Sequence, residues 1–159
     1  MKQSEIFKLQ QILPTLNGKG STTFKWAVYR TNDTLKKEVE SAVKFIDSLK
    51  PKVLKDLLIT QHSLLQKCKT KQEQQTAMLN WKEFTSLQTE LKKFTESTEY
   101  QKFMDSENSE FSPYLIKLSK KDIQEIEKDL QKEGLGLNND LFWCLEQFAE
   151  NKDIDLIMK

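Results

Sequence analysis

The chain has 159 residues, 37% hydrophobic and 31% charged, which is enough for one ordinary domain with a core of its own. Only four Gly and three Pro interrupt a composition dominated by Lys, Glu, Leu and Gln, which disfavours a sheet protein. Its Leu, Ile and Phe content excludes wholesale disorder. The net charge of +1 hides an asymmetry: residues 1–80 carry 14 Lys/Arg against 7 Asp/Glu, and residues 81–159 carry 11 against 17. Such a split arises from an internally complementary fold, or from one basic and one acidic face.

Residues 3–13 form a short amphipathic helix with Ile6, Leu9, Ile12 and Leu13 on one side. Pro14 and then Asn17-Gly18-Lys19-Gly20 end it, and composition makes this the most flexible stretch of the chain. The N-terminal MKQSEIFKLQQIL has no h-region. No run reaches the length of a membrane span. The expectation is a cytoplasmic protein with no membrane contact. Its two cysteines, Cys68 and Cys144, are then core thiols inside helical patterns and not a disulfide.

Thr22 or Thr23 is placed to cap the next helix. Val28, Leu35, Val39, Ala42, Ile46 and Leu49 recur at helical spacing with heptad character, and Phe24, Ala27, Val43 and Phe45 widen the stripe. Pro51 closes this helix and opens the next, over 52–68, with Val53, Leu54, Leu57, Leu58, Leu64, Leu65 and Cys68 as its apolar set. Residues 71–104 are a further long helical candidate through Met78, Trp81, Phe84, Leu87, Leu91 and Phe94, with a weak point at Ser97-Thr98. The heptad-like stripes at 28–49 and 78–94 also allow pairing between chains, and so a homo-oligomer.

A polar break at 105–113 leads to Tyr114-Leu115-Ile116-Lys117-Leu118, short, bulky and flanked by turn signals. This is the one strand candidate, and Ile154–Met158 is its best partner. Ser119 with Asp122 forms a capping box for a helix through Ile123, Ile126 and Leu130. Gly134 stops that helix. Asn138 or Asn139 caps the last one, through Leu141, Phe142, Leu145 and Phe148. The fold expected is mostly α: five or six helices in a bundle with long antiparallel members and at most one small two-stranded pairing. The single domain 1–159 divides into a long-helix half, 1–104, basic to about residue 80, and a smaller acidic module, 105–159.

No catalytic constellation is visible. Two Cys and one His fall short of the four ligands of a structural zinc site. Cys144 lies in FWCLEQF, an aromatic setting for an inert thiol. There is no GxSxG and no HExxH. Asp122, Glu125 and Asp129 alternate with Lys121 and Lys128 as ordinary helix-surface ion pairs do. Asn17-Gly18-Lys19-Gly20 before a helix resembles a phosphate loop only superficially, because the glycine spacing is wrong. No enzyme, cofactor or metal is expected.

Two binding surfaces remain. Residues 50–71 carry Lys50, Lys52, Lys55, Lys67, Lys69 and Lys71 against a single Asp, a polybasic helix suited to salt-dependent binding of nucleic acid. Against it, the chain has one Arg, and Arg is the usual reader of bases. The other surface is the helix head, Phe24 to Arg30. Its aromatics surround the helix, and one stripe cannot bury them all. Most belong to the core, leaving Trp26, Tyr29 and Arg30 as partner-binding residues of hot-spot composition.

The pattern L-x-x-[IL]-L-P-x-L-N-G-K-G at 9–20, then F-K-W-A-V-Y-R-T-N at 24–32 and Tyr114-Leu-Ile116-Lys-Leu118 late in the chain, resembles small phage-encoded helical proteins of unassigned function. The likeness is concentrated in the first fifty residues. It implies a phage accessory protein in the bacterial cytoplasm that binds a host or phage protein, as an inhibitor of a defence protein or as a virion-assembly factor. The pattern carries no catalytic residue.

Overall fold

The structure is a computed structural model and describes residues 1–150. The fold is helical: α1 (Gln3–Ile12), a 3₁₀ turn (Leu13–Leu16), α2 (Thr22–Leu49), α3 (Lys52–Gln66), α4 (Lys71–Asn80), α5 (Phe84–Thr95), α6 (Thr98–Asp105), α7 (Lys120–Lys132) and α8 (Asn139–Phe148). Among the described residues eight α-helices thus stand where five or six were expected, because the stretch 71–104 is three helices. Its first piece, KQEQQTAMLN, has no apolar face and buries no side chain, so nothing holds it in phase with the next helix. The break falls at Trp81, whose backbone turns extended (φ −78°, ψ 118°) and sets the indole against the core of α3 and α5. Long antiparallel helices do not build the bundle either: α2 has 28 residues, but the next longest among the described residues, α3, has 15.

The described residues form two compact units, one of residues 1–41 with 106–150 and the other of Ala42–Asp105. This differs from a division near residue 104 into contiguous halves. The physical reason is that α1 packs on α8, and that the segment after α6 hydrogen-bonds to the N-terminus. Gln3 N–H donates to Ser106 O (3.0 Å) and Asn108 N–H to Met1 O (2.9 Å).

In the second unit, Leu54, Leu57, Leu87 and Phe94 are the buried centre, with Ile46, Leu49, Trp81, Leu91 and Tyr100 around them. Val43 and Phe45, expected in the stripe of α2, are about half exposed, and Phe45 packs against Phe103 (centroids 4.8 Å).

The first unit has the larger core. Ile6, Leu9, Leu13, Leu16, Phe24, Ala27, Val28, Leu35 and Val39 meet Ile123, Ile126, Leu130, Leu141, Cys144, Leu145 and Phe148. Phe24 and Phe148 meet edge to face, 5.6 Å between centroids. The stripe of α2 from Val28 to Val39 is therefore used inside the chain and is not free to form a coiled coil with a second copy. Local signals place the helix ends. Ser119 and Asp122 close a capping box (3.2 and 2.9 Å), Asn138 Oδ1 accepts from Leu141 N–H (2.9 Å), and Gly134 (φ +73°) sits in a Schellman turn. Ser21, not Thr22 or Thr23, caps α2 by accepting from Phe24 N–H (3.2 Å).

The strand expected at Tyr114–Leu118 is an extended stretch in which Ile116 forms one isolated parallel bridge with Ala149. Its expected partner, Ile154–Met158, lies outside the described residues.

The turn expected to be most flexible is instead pinned. Lys19 is only 9% exposed and its Nζ lies 2.7 Å from Glu133 Oε1. Gly20 N–H donates to Asp129 Oδ2 (2.8 Å). Gly20 has φ +79°, and a Cβ there would lie 2.6 Å from Ile126 Cγ1, whereas at Gly18 (φ +73°) a Cβ meets nothing within 4 Å. Gly20→Ala is therefore expected to cost about 2–4 kcal/mol, from backbone strain plus overpacking, and Gly18→Ala only about 1 kcal/mol from strain alone. Urea denaturation of both variants checks the difference. The Gly20 N–H, with Lys132 and Lys25 behind it, holds the Asp129 carboxyl below its ordinary value. A lowered carboxylate pKa stabilises the fold above the unfolded value, about pH 3.9, and that stabilisation is lost as the pH falls through the folded one. The stability difference between the native chain and Asp129→Ala is thus expected to be largest at pH 7 and to narrow as the pH falls below about 3.9, as thermal melts across pH would read.

An exposed aromatic and arginine patch as the candidate binding site

Residues on an α-helix turn about 100° per step, so a helix head cannot present Phe24, Trp26, Val28 and Tyr29 all to one core. α2 sends Phe24, Ala27, Val28 and Thr31 inward. Trp26 (49% exposed) and Tyr29 (65%) are left on the outside. Their rings stack, 5.7 Å between centroids at 17°. Arg30 Cζ lies 5.6 Å from the Trp26 ring and 5.6 Å from the ring of Tyr114, so the guanidinium sits between two aromatic faces. Among the described residues no carboxylate pairs with it. The structure thus brings Trp26, Tyr29 and Arg30 together in one place.

Tyr114 (43% exposed) completes the patch, and sequence reasoning did not assign it there. It arrives there because Tyr114 N–H donates to the buried Thr31 Oγ1 (2.9 Å), which fastens the extended stretch to α2. A signal existed: Tyr114, Leu115 and Ile116 are three consecutive bulky residues, and an extended chain cannot bury neighbours on the same side.

The lysine surface is less coherent than its composition. Lys50, Lys52 and Lys55 stand at the start of α3, and Lys67, Lys69 and Lys71 at the turn from α3 to α4. Lys55 and Lys67 are separated by roughly 18 Å of helix, beyond the Debye length of about 8 Å in physiological salt. Lys50 is also engaged, 2.7 Å from Asp47 Oδ1. Two triads at opposite ends replace a continuous stripe.

Other reactive side chains are accounted for locally. His62 Nε2 is 2.9 Å from Gln66 Nε2. Cys68 and Cys144 are free thiols. Cys144 is fully buried, and burial pushes its pKa up to about 12. Cys68 falls past the end of α3 and is only partly buried, so it is not the core thiol inside a helix that the sequence pattern implied. Among the described residues no three His, Cys, Asp or Glu side chains gather as metal ligands, and no helix is long and apolar enough to cross a membrane.

Comparison with protein-family models, with curated proteins and with solved structures finds no match for the chain. The functional reading therefore rests on the residues themselves.

Because a neutral buried thiol is a poor nucleophile, one thiol per native chain is expected to react with a colorimetric disulfide reagent at pH 8. The second should react only after denaturation, and Cys68→Ser should abolish the native reaction. Trp26→Ala with Arg30→Ala is expected to change folding stability by no more than about 1 kcal/mol, since the pair lies outside both cores. Denaturant titration reads that change.

Proposed function

We propose that the chain is a non-catalytic protein-binding module whose contact surface is the patch of Trp26, Tyr29, Arg30 and Tyr114. The observation that carries this reading is the Arg30 guanidinium, which pairs with no carboxylate among the described residues and is held between two half-exposed rings. Trp, Tyr and Arg are the residues over-represented at interface hot spots, because they supply area, rigidity and directional donors together. Covering one such ring fully gives roughly 1.5–3 kcal/mol, so the patch leaves available in water what a partner recovers on docking. The resemblance of residues 9–20 and 24–32 to phage proteins supports a more specific reading. On it, the partner is a host defence protein that the chain inhibits, or a virion component that it helps to assemble, in the bacterial cytoplasm.

Affinity capture from bacterial lysate, with and without nuclease and read by mass spectrometry, tests this. The expected result is one stoichiometric protein that survives nuclease and moderately raised salt. Trp26→Ala with Arg30→Ala is then expected to weaken its binding by about 30-fold or more, the scale of a hot spot of about 2 kcal/mol. Recovery of nuclease-sensitive material alone, dependent on Lys50, Lys52, Lys55, Lys67, Lys69 and Lys71, would transfer the function to nucleic acid.

A further inference from the structure

The stretch from Phe111 to Ser119 runs without turn or bend to the start of α7, and its two edges are unequal. On one edge, Tyr114 N–H donates to Thr31 Oγ1 (2.9 Å) and Ile116 N–H to Phe148 O (2.8 Å), while Ile116 O accepts from Glu150 N–H (2.9 Å). In an extended chain the backbone groups of successive residues point to opposite edges. The N–H and C=O of Leu115 and Lys117 therefore point to the other edge, and both residues are exposed. Among the described residues none of these four groups has a partner in the chain. The open edge is bounded by Pro113, which lacks an N–H, and by Ser119, whose N–H is held by Asp122 Oδ2 (2.9 Å).

The occupant that fits such an edge is narrowly defined. A helix satisfies its own backbone and has nothing to exchange with these groups. A phosphate chain accepts from N–H but cannot donate to C=O. A second extended polypeptide does both at the matching repeat. The charge at the edge then selects the segment. Between Phe111 and Lys121 the chain has Lys117, Lys120 and Lys121; Glu110 and Asp122 flank this stretch, the Asp122 carboxylate already engaged by Ser119 N–H and Oγ, and Arg30 stands over Tyr114 at the edge's near end.

We propose that this edge accepts an extended, acidic segment of the partner protein by β-strand addition. Leu115 and Lys117 exchange backbone hydrogen bonds with the segment, and Trp26, Tyr29 and Arg30 receive its side chains. This rests on the protein-binding reading and specifies how the partner is held.

The test uses the full chain and a displayed library of random 12-residue peptides. The most enriched peptide is synthesised, and its binding is measured by fluorescence anisotropy to the native chain, Leu115→Pro, Leu115→Ala and Trp26→Ala with Arg30→Ala. Leu115→Pro deletes one N–H of the open edge that the fold does not use, and Tyr114 before it is already extended, as proline requires. The expected result is an acidic peptide that loses tenfold or more on Leu115→Pro and clearly less on Leu115→Ala. The peptide is also made with its amides N-methylated at odd or at even positions, so that the native chain decides the matter even should Leu115→Pro misfold. Strand addition requires that one parity abolish binding and the other spare it. Loss at both parities or at neither overturns strand addition, and if Trp26→Ala with Arg30→Ala still weakens the peptide, the patch remains a protein-binding surface held in another way. A library that yields no binder overturns it too, because a strand site needs only a linear segment, and the lysate capture judges the broader reading independently. Self-association in the ultracentrifuge that Leu115→Pro abolishes would assign the edge to a second copy and overturn the proposal as stated.

Discussion

Gly20 lies directly beneath Ile126 and donates its N–H to Asp129, while Lys19 beside it reaches Glu133 one turn further along α7. This contact fixes where α2 begins and how it is rotated about its axis. With Ser21 capping the helix, Phe24 must point at Phe148, and the geometry of the helix then turns Trp26 and Tyr29 outward. A rotation of about 100°, one residue of helix, would exchange these roles and leave the first unit without its central ring. The patch is thus a consequence of how tightly a glycine turn is held some distance from it.

Much of this was legible where the physics is local. The capping box at Ser119, the Asn138 cap, the stop at Gly134 and the stripe of α2 each depend on residues within a turn of one another. The crowding at Phe24–Arg30 was legible too, because a helix has too few inward positions for that many bulky residues. Contacts that join distant parts of the chain escaped. Asn17-Gly18-Lys19-Gly20 has the composition of a flexible loop, and its partners Asp129 and Glu133 lie more than a hundred residues away. Asp129, one of a series of charges on α7, carries no mark that distinguishes it from its neighbours. Tyr114 joins Arg30 only through the hydroxyl of Thr31, which nothing in the helical pattern singles out. Trp81 looked like one more member of a helical series. Only the polar character of the preceding ten residues hinted that the phase would be reset there.

Composition misled most on the basic surface. Six lysines in a short window read as one stripe when they are counted, yet helix geometry sorts them into two separated groups. The aromatic residues behave in the opposite way, since a window of seven residues and another eighty positions later converge on one guanidinium. Spatial convergence, not local density, distinguishes the two surfaces.

α4 obeys a different rule from the rest of the fold. It buries no side chain and has no apolar face; besides the Thr70 cap, which accepts from Glu73 N–H, and its own backbone ladder, it touches α3 through the half-buried Met78, whose Sδ accepts from Gln61 Nε2 (3.7 Å). An isolated helix of ten residues is marginal in water. Its unravelling therefore exposes little apolar surface and needs no disturbance of Leu54, Leu57, Leu87 or Phe94. Amide protons between Lys71 and Asn80 should accordingly exchange with solvent by opening of this helix alone, on a faster clock than those of α3 and α5. The same looseness frees this segment to accumulate substitutions that the helices around it would not tolerate.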